Sequence, residues 1–69
     1  MAENDLTMDE VDVIRAMADN DLNGSLAAKE LFVAKSTIDY RRKTILKKTG
    51  YDIRRFYDLC MLLDDINGR

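Results

Sequence analysis

The chain has 69 residues, 46% of them hydrophobic and 35% charged, with a formal net charge of −2; this fits one small globular domain and leaves no room for a second. It contains no His and one thiol, Cys60, so neither a zinc cluster nor an intramolecular disulfide is expected, no cofactor is implied, and self-association is the remaining aid to so small a core. No apolar run reaches the roughly 18 residues of a membrane span, and the start MAENDLTMDE lacks the order of a secretory leader, so the expected location is the cytoplasm.

Charge is unevenly distributed. Residues 1–23 carry net −6, residues 24–49 net +5 and residues 50–69 net −1. A basic block between acidic flanks suits a polyanion; the alternative is that the acidic arm neutralises the basic helix within the monomer. With no Pro and no sustained period-2 alternation, the chain reads as all-α, a small domain of four helices over residues 1–69 with a flexible arm at 1–6.

The first helix begins at TMDE, where Thr7 and Glu10 can form a capping box and Asp9, Glu10 and Asp12 suit the positive end of the dipole. Val11, Ile14, Met17 and Ala18 supply its apolar face, and it should end near Asp19 or Asn20. Asn23–Ser25 is a turn and cap cluster, after which Leu26, Ala27, Leu31 and Phe32 give the second helix its core face. Ala28 is small enough to let a following helix cross closely, and Val33–Lys35 is a turn of suitable length.

The third helix is expected to start at Ser36 or Thr37, either of which can cap, and to stop at Gly50. The fourth should run over 54–67, with Phe56, Leu59, Cys60, Leu63 and Ile66 on one core-facing arc and Gly68 able to end it. On that reading Cys60 is a small hydrophobe. Tyr57, Met61 and Leu62 exceed what one core face needs and are the candidate homodimer interface; packing under the N-terminal arm through Leu6 or Met8 is the alternative.

A short helix with a central small residue, a three-residue turn and a longer basic helix describe a helix-turn-helix over 25–48, with a recognition helix at 36–48. On a wheel of about 100° per residue with Ser36 at 0°, Lys47, Tyr40, Lys43 and Asp39 share its arc, and Ile38 and Ile45 point the opposite way into the core. Ser36 could bond a base edge or a phosphate, and Tyr40 could pack on a thymine methyl or donate to a phosphate. Lys35 and Lys43 suit guanine or backbone, and Thr37 and Lys47 suit phosphate. Arg41, at about 140°, is a flank contact, whereas Arg42, at about 240°, covers core with its stem and sends its guanidinium to solvent or an acid. Asp39 can only accept, so near DNA it needs a cytosine amino group or an internal Lys or Arg.

The segment LFVAKSTIDYRRKTILKKTGYDI resembles the C-terminal helix-turn-helix of the PucR type, shared with sugar-diacid regulators. The residues that carry the likeness are Leu31, Phe32, Val33, Lys35, Thr37, Ile38, Tyr40, Arg41, Ile45, Thr49, Gly50 and Asp52, within a stretch from about Asn20 to Ile66. Asp39 and Arg42 depart from its usual basic and apolar residues. The resemblance implies a transcription factor that reads double-stranded DNA with its third helix. Members usually carry an N-terminal sensor domain; none is expected on this chain, and a separate sensor or partner protein could supply one. With no His, phosphate loop or metal-ligand cluster, no catalytic residue is expected and an enzyme is disfavoured. The competing reading is a protein interaction module that uses the acidic first helix and the Tyr57 and Met61 face.

Overall fold

Four helices form where the sequence places them in the computed structural model, which describes residues 6–67: α1 (Met8–Asp19), α2 (Gly24–Leu31), α3 (Lys35–Thr49) and α4 (Phe56–Asn67). The expected arm at 1–5 and the stop at Gly68 lie outside the described residues. Leu6, the last residue of that arm, packs against the core.

The start of α1 is fixed locally. Thr7 N–H donates to Glu10 Oε1 at 3.0 Å and Glu10 N–H returns to Thr7 Oγ1 at 3.2 Å, which meets two amide donors that the helix itself cannot. Because α1 packs against all three other helices, its covered arc is wider than one apolar stripe: Val13 and Ala16 join Ile14 and Met17 in the core, while Val11 stays partly covered. Asn20 closes the helix, its side-chain amide donating to Ala16 O at 2.8 Å and to Glu30 Oε1 of α2 at 2.9 Å. The turn that follows holds Asp21 and Leu22 at φ 54° and 67°.

Asn23 caps α2 by accepting from Leu26 N–H at 3.1 Å. At the other end Phe32 N–H donates to Lys29 O at 3.2 Å and Val33 N–H to Ala28 O at 3.0 Å, the paired bonds of a Schellman ending. Phe32 therefore takes the left-handed position, φ 58°, where glycine is usual; the side chain costs about 1 kcal/mol there. It is 95% exposed, which corrects its expected place in the core, and Leu26 is also exposed. Ala27 and Ala28 supply the buried face of α2, small enough for α3 to cross.

α3 starts one residue earlier than expected, at Lys35, with Ala34 as its cap. Neither Ser36 nor Thr37 caps it; both lie inside the first turn. Gly50 ends it at φ 81°, its N–H on Leu46 O at 2.8 Å. Ile38 and Ile45 are fully covered, as their position opposite Ser36 requires.

Between α3 and α4, Ile53 plugs the core with no exposed surface, a role its sequence position in a loop did not signal. Asp52 fastens the loop: its carboxylate accepts from Arg54 N–H at 2.9 Å, and its own N–H donates to Asp58 Oδ2 at 3.0 Å. α4 begins at Phe56 because residues 54 and 55 belong to this turn. Its buried residues are Leu59 and Leu62, with Leu63 and Ile66 packed beside them. Leu62 is 1% exposed, so it is core and leaves the expected dimer interface. Cys60 and Phe56 are exposed, which corrects their assignment to the core arc. With Phe56 at 0°, the core residues span about 240° to 340°, and Cys60 at about 40° falls outside that range.

Candidate nucleic-acid interface

α2, the turn at 32–34 and α3 form the helix-turn-helix, and α1 braces both helices from behind. α2 and α3 meet closely at their starts. A Cβ at Gly24 would lie 2.9 Å from Lys35 Cε, so the absent side chain makes room for the Lys35 stem to cross the first turn of α2.

Along α3 the arc predicted to read DNA faces solvent. Ser36, Lys43 and Lys47 are exposed, and Tyr40 is 71% exposed. Leu46, at about 280° on the same wheel, adds an exposed apolar side chain at the edge of the arc that the pattern of charges did not single out. Thr37 and Thr44 are partly covered, and Thr44 Oγ1 donates back to Tyr40 O at 3.1 Å.

Asp39 has an internal partner. Lys35 Nζ stands 3.0 Å from Asp39 Oδ1 and 3.3 Å from Oδ2, one helical turn away. The hydrogen bond from Lys35 is the main influence and holds the Asp39 carboxyl below its ordinary value against the effect of desolvation, with Arg42 and Lys43 adding to it. The acid on the outer arc of α3 is thus balanced within the helix by Lys35.

The other cations divide by direction. Arg41 NH2 lies 3.6 Å from Asp9 Oδ2, and Lys48 Nζ lies 2.8 Å from Glu10 Oε1. These two bases share a flank of α3, seven residues apart, and meet the acidic first turn of α1. Glu10 is 5% exposed. Burial alone would raise its carboxyl; the hydrogen bond from Lys48, the Thr7 amide and the Lys48 charge together outweigh burial and leave it below the usual value. Arg42 turns inward, 13% of its side chain exposed, with NH1 4.0 Å from Asp52 Oδ1. Among the described residues its buried Nε finds no hydrogen-bond partner, an unmet donor that costs about 1–3 kcal/mol. For Asp52 too, burial raises the carboxyl, but Arg54 and then Arg42 bring it below its ordinary value.

The basic third of the chain is therefore sorted by the fold. Arg41, Arg42 and Lys48 brace α3 against α1 and the following loop, and Lys35 neutralises Asp39. Lys43 and Lys47, among the described residues, have no ion-pair partner and stand with Ser36 and Tyr40 on the outer arc. On α4, Tyr57 is exposed and Met61 partly so, beside exposed Phe56 and Cys60. A shallow apolar cavity of about 200 Å³ runs from this face to the end of α1, lined by Ala18, Leu22, Leu59 and Leu63 among others. Among the described residues no cluster of metal-ligating side chains is present, and no helix is long and apolar enough to cross a membrane.

Residues 11–63 match the family model described as the PucR C-terminal helix-turn-helix domain. No curated protein and no solved structure matches the chain.

Proposed function

The chain belongs to the PucR C-terminal helix-turn-helix family, whose domains bind DNA in transcription regulators, and from that premise we propose that it reads a specific duplex sequence by laying α3 in the major groove. The observation that carries this reading is the outer arc of α3, where Ser36, Tyr40, Lys43 and Lys47 are exposed together while the nearby acids are engaged by other bases. Ser36 and Tyr40 supply base-edge and thymine-methyl contacts, Lys43 reaches guanine or phosphate, and Thr37 and Lys47 hold phosphates. Lys35 and Arg41 reach phosphate once they part from Asp39 and Asp9.

Specific sites for such domains are commonly paired, with half-sites about 34 Å apart on one face of the duplex. We assign the second copy to α4, where Phe56, Tyr57 and Cys60 expose apolar surface next to Met61 in a chain with little core to spare. The same exposed face is what the interaction-module reading would use.

Selection of bound sequences from a random duplex pool tests specificity and half-site symmetry together. Fluorescence anisotropy of a selected duplex over a salt series then tests the contacts. Lys43→Ala and Lys47→Ala should each reduce the slope of log K against log salt by about one. Absence of salt-sensitive binding by the wild-type chain, or an unchanged slope in the double variant, rejects the reading. A monomeric mass by equilibrium sedimentation, free and on DNA, rejects the α4 dimer.

A further inference from the structure

Phe32 is the residue whose placement the fold itself leaves unexplained. It sits at the left-handed end of α2, a position glycine fills at lower conformational cost, and its ring is 95% exposed. The neighbouring residues do the structural tasks. The Schellman bonds use only backbone groups of Ala28, Lys29, Phe32 and Val33, and Val33, not Phe32, packs against the core. A large apolar side chain held in solvent on a strained backbone costs the monomer in both hydration and conformation and contributes no core packing to it.

The surroundings favour DNA as the partner. Phe32 is four residues before Ser36, so their Cα atoms are at most about 14 Å apart, roughly four base-pair steps. The ring thus lies within reach of the duplex that the start of α3 would meet. Its immediate neighbours Leu31 and Val33 are partly buried, and the charged residues nearest to it in sequence, Lys29, Glu30 and Lys35, are exposed. A single exposed ring flanked by Lys29 and Lys35 suits a polyanion that offers apolar spots between its charges better than the continuous apolar face of another protein.

We infer that Phe32 is a DNA-contact residue, packing its ring on deoxyribose carbons or a thymine methyl beside the start of α3. The inference rests on the DNA reading of α3 and adds to it a contact without charge. That difference makes the two separable.

The test uses Phe32→Gly and Phe32→Asn, both suited to the left-handed backbone. Each should keep or raise the melting temperature, because the ring supports nothing in the fold. Each should weaken binding to the selected duplex by about tenfold at every salt concentration, the worth of covering part of one ring, with the salt slope unchanged. Wild-type affinity in both variants, a slope reduced as by a lost lysine, or a fall of several degrees in melting temperature overturns the inference. So does loss of self-association with DNA binding intact, which would make Phe32 a protein contact. Failure of the DNA reading itself would show separately, as absent salt-sensitive binding by the wild-type chain.

Discussion

Replacing Glu10 by Gln probes how α3 is held. The amide keeps the size of the side chain and can still accept from Thr7 N–H, so the capping box survives and only the charge is removed. The charge contributes twice. Lys48 donates to it at 2.8 Å in a nearly buried setting; a hydrogen bond to a charged group contributes about 1.5–3 kcal/mol, and making the acceptor neutral forfeits about 1 kcal/mol of that. The carboxylate also sits in the first turn of α1, worth about 0.5 kcal/mol against the helix dipole. The sum, about 1.5 kcal/mol, corresponds to a fall in melting temperature of about 6–12 °C for a domain this size.

The deficit must also depend on pH with a definite sign. The folded-state pKa of Glu10 is lowered, so its contribution is complete above the unfolded value of 4.5 and is lost as pH falls through the lower folded value. Thermal melts followed by circular dichroism at about pH 7 and in steps to about pH 2.5 should show wild type and variant converging at the acid end. Asp39 and Asp52, also lowered, lose their contributions in acid in both proteins and leave the difference untouched. Equal stability at neutral pH, or a deficit undiminished in acid, would refute the account of Glu10 as a charged brace.

The remaining expectations concern the reading face, the α4 surface and one backbone position. Asp39→Asn removes the acid that Lys35 must leave to reach phosphate, so affinity should rise severalfold at low salt; unchanged affinity in anisotropy titrations would show that Lys35 does not reach phosphate. Leu62→Ala should destabilise the monomer by about 3 kcal/mol in urea unfolding, whereas Tyr57→Asp should leave folding intact and abolish self-association in sedimentation; similar unfolding curves for the two would contradict their opposite placement. Gly50→Ala meets no atom within 4 Å, so its cost of about 1 kcal/mol is that of φ 81° alone, and a variant as stable as wild type would count against a left-handed end to α3.

Family and fold class were legible because they rest on local chemistry. The capping box at Thr7 and Glu10, the Asn23 cap and Gly50 at the end of α3 each use partners within three or four residues, so the residue types imply the bond. The arc of Ser36, Tyr40, Lys43 and Lys47 was legible for a similar reason, since a rigid helix fixes relative direction at about 100° per residue.

What the chain alone left open was decided by contacts between distant segments. Periodicity gives relative direction on a helix but not the direction of the core, so the core arc of α4 was set about 50° off, taking in Phe56 and Cys60 and leaving out Leu62. Phe32 looked like core because it is apolar and follows Leu31; the left-handed end of α2 turned it outward and gave the inward place to Val33. The acidic start and basic middle looked like opposed charges in one sequence. Only folding brought Glu10 to Lys48, 38 residues away, and Asp9 to Arg41. The residues by themselves thus determined four helices, the caps at Thr7, Asn23 and Gly50, and a basic third helix, because these hydrogen bonds close within a turn. The tertiary structure decided which bases brace α3 and which remain for a polyanion, because an ion pair needs two side chains within about 4 Å and sequence distance carries no such information.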